Sequence, residues 1–189
     1  MEKILMATRS HPIIAAVRDA ADVDRALASP VTTIFMMGGS ISEVRDITRR
    51  THEAGKHILF HVELVKGLGR DKEAIQFLAH EARPDGVVST KPNLLGLARK
   101  LGLLTTLQVF MIDSQAYQTG LRNIDSIRPD AIEVMPGLMP SIIRKLDKQF
   151  DTPIFAAGLI KQPDEIEAML AAGADALVIG EQSLWSHTR

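Results

Sequence analysis

The sequence predicts a compact TIM-type (β/α)8 barrel, with residues 1–189 forming a single domain. Three observations point there. Short apolar runs alternate with helical patterns through eight units, glycine punctuates the helix ends, and the apolar mass is aliphatic rather than aromatic. Strands alternating with helices imply βαβ units and a parallel sheet, because each crossover must return to the same end. Eight such units close into a barrel, with a doubly wound open sheet as the competing arrangement.

Strands are expected at residues 12–17, 31–37, 57–64, 85–89, 103–112, 130–135, 153–157 and 176–179. Helices fall between them at 22–28, 42–54, 71–82, 93–101, 114–126, 139–150 and 163–172, and 182–187 supplies a short last turn. The pairs Ala54-Gly55, Leu101-Gly102 and Ala172-Gly173 put glycine where a helix closes on a left-handed residue. Ser42, Asp71, Ser114 and Asp164 stand near helix starts, the last after Pro163. With 189 residues the chain is slightly shorter than the usual barrel, which runs to roughly 200 residues or more. Its helices and loops must therefore be short.

Composition narrows the function classes. Hydrophobic residues make up 46% and charged residues 24%, a globular balance, while 4% aromatics and eight Met suit branched-aliphatic α/β packing. Lys plus Arg number 22 against 23 Asp plus Glu, so the net charge of −1 lacks the basic excess that announces nucleic-acid binding by itself. The absence of cysteine excludes disulfides, thiolate nucleophiles and Cys-ligated zinc. Glu2, Lys3, Arg9 and His11 interrupt the opening apolar residues, so a signal peptide is not expected there. No run approaches the ~18 apolar residues of a membrane span. A soluble, cytoplasmic protein is the expectation.

In this fold function collects at the carboxyl ends of the strands. Those ends carry Arg18 and Asp19, Gly38 and Gly39, His61 and Glu63, Lys91, Asp113, Glu133 with Pro136-Gly137, Gly158 and Gly180. The amino ends are mainly plain aliphatics. Phosphate sites commonly use the loops after the seventh and eighth strands, here residues 156–160 and 178–182. Glycine at 158 and 180 lets backbone N–H groups approach an anion, although Glu181 is an awkward neighbour unless it points away. A small phosphorylated ligand is expected at this end.

Glu133 lies inside an apolar strand. Facing the helix layer it would be buried without water, so it is expected to point into the barrel mouth. His61 and Glu63 share one strand face. A metal held by His61, Glu63, Asp113 and Glu133 is left open, but no metal and no cofactor is assigned. Lys91 suits a ligand anion or an ion pair with Glu133 or Asp113. No phosphate-loop lysine motif, Gly-x-Gly-x-x-Gly or nucleophile elbow occurs. Met36, Met37, Met135 and Met139 read as core filler. Arg45, Arg49, His52 and Lys56 form one stripe on the second helix with Arg50 beside it, and Arg144, Lys145 and Lys148 cluster on the sixth.

Five ordered segments carry a family resemblance: Pro12-Ile-Ile-Ala-Ala-Val17, His61-Val-Glu-Leu-Val-Lys-Gly-Leu68, Asp85-Gly-Val-Val-Ser-Thr-Lys91, Asp130-Ala-Ile-Glu-Val-Met-Pro-Gly137 with Met139-Pro140, and Pro153-Ile-Phe-Ala-Ala-Gly-Leu-Ile160. Together with the closing Gln182-Ser-Leu-Trp185, they resemble the glycerol uptake operon antiterminator regulatory family over nearly the whole chain. The resemblance implies a regulator rather than an enzyme. Its members respond to glycerol 3-phosphate and act on the leader mRNA of glycerol-utilisation operons to prevent premature termination. By position it implies a ligand framed by Glu133, Pro136, Gly137, Gly158 and Leu159, with His61 and Lys91 at the rim and Gly180 in the last loop. Two positions depart from the family pattern: Glu63 stands where aspartate is expected, and Gly180-Glu181 where small hydroxyl residues are expected.

The chain is nearly neutral, so an RNA contact must be local. Arg45, Arg49, Arg50 and Lys56 are the first candidates and the sixth-helix cluster the second. The partners implied are glycerol 3-phosphate and leader mRNA, with no membrane and with a homo-oligomer left open. The alternative is a barrel enzyme on a small phosphorylated metabolite, with Glu133 or Asp113 as base and Lys91 as electrophile or acid.

Overall fold

The structure, a computed structural model, describes Ile4, Thr8 and residues 11–187. The signal-peptide expectation resting on Glu2, Lys3 and Arg9 lies outside the described residues. Eight parallel strands pair in sequence order and close, with Ile14 of β1 (Ile13–Val17) opposite Val178 of β8 (Ala176–Ile179). The others are β2 (Thr33–Met36), β3 (His57–His61), β4 (Gly86–Ser89), β5 (Leu104–Phe110), β6 (Ala131–Met135) and β7 (Ile154–Ala157). Between them lie α1 (Ala20–Ala28), α2 (Val44–Glu53), α3 (Lys72–Phe77), α4 (Pro92–Lys100), α5 (Ser114–Ile127), α6 (Pro140–Gln149) and α7 (Pro163–Ala171). The expected last turn is a 3₁₀ helix over Gln182–Leu184.

Boundaries shift where local hydrogen bonds overrule apolar runs. β3 stops at His61 because Leu64 N–H turns back to the His61 carbonyl at 3.1 Å. α2 starts late because Glu43 accepts the Ser40 N–H at 2.8 Å and holds residues 40–43 in a turn. Asp71 caps α3 through the Ala74 N–H (2.9 Å), and the helix widens into a π turn over Leu78–Ala82. Asp113, not Ser114, caps α5 by accepting the Ala116 N–H at 2.7 Å. At α7 the capping carboxylate is Glu165, which accepts the Gln162 N–H at 2.9 Å, rather than Asp164. Gly55, Gly102 and Gly173 close their helices at φ +70°, +82° and +104°.

The core has two shells. The outer one packs strand residues such as Ile34, Phe60 and Ile132 against the apolar faces of the helices. The inner one fills the barrel with Ile14, Phe35, Leu59, Val88, Phe155 and Val178, and Phe35 meets Phe155 edge to face at 6.0 Å. Same-face side chains recur every second residue along a strand. One step beyond Ile14, Phe155 and Val178 come only Ala16, Ala157 and Gly180, while one step beyond Leu59 and Ala131 come His61 and Glu133. Small residues on one side and polar residues on the other therefore leave an open, polar layer above an aromatic floor.

Candidate ligand site at the barrel mouth

That layer is the base of a cavity of about 840 Å³ at the carboxyl ends of the strands. His61, Glu63, Gln108 and Glu133 line its base and Gly158, Leu159 and Gly180 its loop side, while Arg18 and Lys161 bring positive charge to a rim that Asp19, Asp22 and Glu181 share. Met37 and Met135 line it as well, so only part of the methionine set is plain core; Met36 is fully buried.

A hydrogen-bonded chain crosses the cavity. Gln108 and Glu133 are direct partners across β5 and β6, which places both on the inner face. The Gln108 amide donates to Glu133 Oε2 at 2.8 Å, and its carbonyl oxygen accepts from His61 Nε2 at 3.1 Å. His61 Nδ1 stands 3.2 Å from Glu63 Oε2, an ionic contact that lies off the line of a good hydrogen bond. Glu63 Oε1 accepts from Ser89 Oγ (2.6 Å), Thr90 N–H (3.2 Å) and Thr90 Oγ1 (3.2 Å), tying the β3 end to the β4 end.

The two carboxyls are pushed apart by their surroundings. Burial raises Glu133 to about 7, against a smaller pull downward from the Gln108 bond and the His61 charge. Burial would also raise Glu63, but the close His61 contact and the Ser89 bond overcome it and hold the group at about 2. Burial alone would lower His61; the close contact with Glu63 and the bond to Gln108, with the charges of Glu63 and Glu133, raise it instead. Glu133 is fully buried, and its Oε1 has no hydrogen-bond partner. An unpaired buried carboxyl oxygen costs about 1–3 kcal/mol, so the group is poised to take a hydroxyl or another donor.

The seventh and eighth loops differ in how they stay open. Gly158 sits at φ +84° and Leu159 follows at +67°, a conformation that side chains rarely adopt. Gly137 packs so closely that a Cβ would lie 2.9 Å from the Ala157 nitrogen, and its N–H donates to the Gly158 carbonyl at 3.1 Å. Pro136 and Gly137 thus brace the Gly158 loop from behind rather than line the cavity. Around Gly180 the space is open, and the Glu181 carboxylate accepts from Ser183 Oγ at 3.0 Å.

Other expected residues fall elsewhere. Lys91 heads α4 one residue beyond Thr90, does not line the cavity, and has no ion pair with Glu133 or Asp113. Asp113 is occupied with capping α5 and lines a neighbouring hollow of about 370 Å³ instead. Of the four groups weighed as metal ligands, Asp113 lies apart from His61, Glu63 and Glu133, and among the described residues no group of three or more His, Cys, Asp or Glu could hold a metal ion. On α2, Arg45 pairs with Glu81, Arg50 with Asp24, and Arg49 with Asp46 (2.6 Å) and Glu53 (2.7 Å). Lys56 Nζ donates to the carbonyls of Ala26, Ser29 and Val31 at 3.1, 2.6 and 2.7 Å. No ion pair engages Arg144, Lys145 or Lys148 among the described residues.

Gln108, Arg18 and Lys161 are the site residues that sequence reasoning left out of the ligand set. Gln108 had a signal: an amide inside an apolar strand, in register with the charged Glu133 of the next.

Fold and site together define a (β/α)8-barrel protein with a polar cavity at the carboxyl ends of its strands, and no helix among the described residues is long and apolar enough to cross a membrane. Comparison with known proteins narrows this. The family profile of the glycerol-3-phosphate responsive antiterminator matches residues 13–185, and the chain belongs to that family. A glycerol uptake operon antiterminator regulatory protein from Listeria monocytogenes is 32% identical, over 93% of this chain and 95% of that one, with a TM-score of 0.89. An antiterminator-related protein from Thermotoga maritima is 28% identical over 93% and 98% of the two chains, with a TM-score of 0.82. Among curated proteins, YgcP of Escherichia coli, itself uncharacterised, is 30% identical over 97% of this chain and 96% of its own length.

Proposed function

We propose that the protein is a cytoplasmic, glycerol 3-phosphate-responsive antiterminator that binds the leader mRNA of glycerol-utilisation operons. The observation that carries the ligand reading is the unpartnered Glu133 Oε1 at the floor of a cavity walled by the glycine loops at 158 and 180. Glycerol 3-phosphate has both ends: a hydroxyl for Glu133 in the layer it shares with His61, and a phosphate for the backbone N–H groups at Gly158, Leu159 and Gly180 with Arg18 and Lys161 nearby. Pro136 and Gly137 hold that loop in place, and Lys91 adds charge at the β4 end. With Glu133 near its midpoint at neutral pH, its carboxyl can donate as well as accept, which suits a hydroxyl in either role.

A second reading is supported by the same carboxyl. A buried acid with its pKa near 7 is what general acid–base catalysis requires, so an enzyme acting on a small phosphorylated metabolite is the alternative. One experiment separates them. Glycerol 3-phosphate should raise the melting temperature in a concentration-dependent way, phosphate-free glycerol should not, and phosphorus NMR of the same samples should show no conversion. Gly158→Val should abolish the shift in a folded protein, because Val resists φ +84° and its Cβ would crowd Met135 Cε at 3.0 Å. A shift that survives this change sinks the site assignment. Turnover that disappears in Glu133→Gln sinks the regulator.

A further inference from the structure

We infer that the carboxyl-terminal face of the barrel, over the ligand cavity, is the surface that takes single-stranded RNA; the inference rests on the RNA-binding reading above. All four exposed large hydrophobics among the described residues lie on this face: Leu64 (44% exposed), Phe110 (47%), Ile112 (74%) and Leu159 (64%). They follow or end β3, β5 and β7, and Leu64, Phe110 and Leu159 also wall the cavity. A three-carbon phosphate needs none of them. Leu159 is moreover displayed from a backbone at φ +67°, where an ordinary loop residue would avoid the strain.

Charge selects the occupant. Arg18, Lys66, Lys91 and Lys161 stand in the loops after β1, β3, β4 and β7, and none has an ion-pair partner among the described residues. Of the acids on this face, Glu43 accepts the Ser40 N–H, Asp71 the Ala74 N–H, Asp113 the Ala116 N–H and Glu181 the Ser183 hydroxyl, while Asp19 beside Arg18 makes no side-chain cap bond. On α1 and α2 the reverse holds, with Arg25, Arg45, Arg49 and Arg50 all paired, whereas Arg144, Lys145 and Lys148 of α6 share the unpaired state but have, among the described residues, no exposed large hydrophobic beside them. Unpaired cations among apolar side chains fit a partner with anionic links and flat apolar faces, which describes unstacked bases on a phosphate backbone. A second copy of the chain, docked mouth to mouth, would bring the same free cations against these.

The placement also supplies the switch. Because Leu64, Phe110 and Leu159 serve cavity wall and rim alike, RNA over the mouth would help enclose the ligand. Ligand and RNA would then each favour the other's binding by an equal factor.

The test uses the whole chain, leader RNA and glycerol 3-phosphate. Ile112 and Lys66 line no part of the cavity, so Ile112→Ser/Lys66→Ala should keep the ligand-induced thermal shift. It should lose about tenfold in RNA affinity, through a lost apolar contact with a base and one lost phosphate contact, and flatten the salt dependence by ~0.7 units. Ile112→Trp should be quenched on RNA binding, against a native Trp185 that is buried. The surface is wrong if these variants bind RNA like wild type while Arg144→Ala/Lys148→Ala weakens binding and flattens the slope. It is equally wrong if Ile112→Ser/Lys66→Ala breaks a dimer in sedimentation yet leaves RNA affinity intact. Wild type that binds no leader RNA at any salt, with or without ligand, sinks the antiterminator reading itself and this surface with it.

Discussion

At the scale of single residues, Glu133 governs both the site and its pH response. Its pKa in the fold, about 7, lies above the ordinary 4.5, so the folded state holds the proton more tightly than the unfolded chain. The associated stability is complete below pH 4.5 and is lost as pH rises to about 7, by about 3 kcal/mol for a shift of this size. His61, raised above 6.5, adds a loss in the same direction at higher pH. Glu63, lowered to about 2, acts oppositely: its contribution is present above pH 4.5 and disappears as pH falls from there. Urea midpoints of wild type should therefore decline from pH 4.5 to 7, and Glu133→Gln should flatten that decline. An unchanged slope in Glu133→Gln would show that Glu133 ionises in the fold as it does in water. The sequence revealed Glu133 because a charge in an apolar strand stands out. It hid the Gln108 link, since an amide is a quieter signal and its two partners come from strands 47 residues upstream and 25 downstream.

At the scale of elements, strand and helix order was readable because glycine and capping carboxylates mark the ends, whereas the exact ends were not. Asp113 illustrates why. As a charged residue after a strand it looked like site chemistry, yet a helix N-terminus claims it first. The α2 stripe shows the same limit: Arg45, Arg49, His52 and Lys56, with Arg50 beside them, are visible in the sequence, but Glu81 and Asp24, which pair with Arg45 and Arg50, come from other helices. Exposed pairs of this kind contribute only about 0–1 kcal/mol each. Lys56 differs, because one ammonium satisfies three carbonyls between the end of α1 and the start of β2. Lys56→Met should cost about 2 kcal/mol, as expected for losing charged hydrogen bonds, and more than Arg45→Ala/Arg49→Ala in the same denaturation assay. The arginine double variant should also keep the wild-type salt slope for leader RNA. A flattened slope would return α2 to the RNA surface.

At the scale of the whole molecule, closure of the barrel depends on the two ends of the described chain meeting. β8 pairs with β1, and beyond it the buried Trp185 indole N–H donates to the Ile179 carbonyl at 2.8 Å. The Trp185 carbonyl in turn accepts from His11 Nε2 at 3.0 Å, joining residues 174 positions apart. Closure could be expected from the count of eight units, but not this latch, because nothing local in sequence connects His11 to Trp185. Its existence bears on whether residues 1–189 act as one domain, which we propose they do. Neighbouring strands are hydrogen-bonded all the way round, so no subset of units has a core of its own to retain when the seam opens. Trp185, the chain's single tryptophan, is a reporter at that seam. Its fluorescence change in urea should therefore coincide with the loss of far-UV circular dichroism. Trp185→Phe should move the dichroism midpoint down by about 1 kcal/mol, the usual value of one buried hydrogen bond, without broadening the transition. If fluorescence changes well before dichroism, the last unit opens alone and the barrel is not one cooperative body.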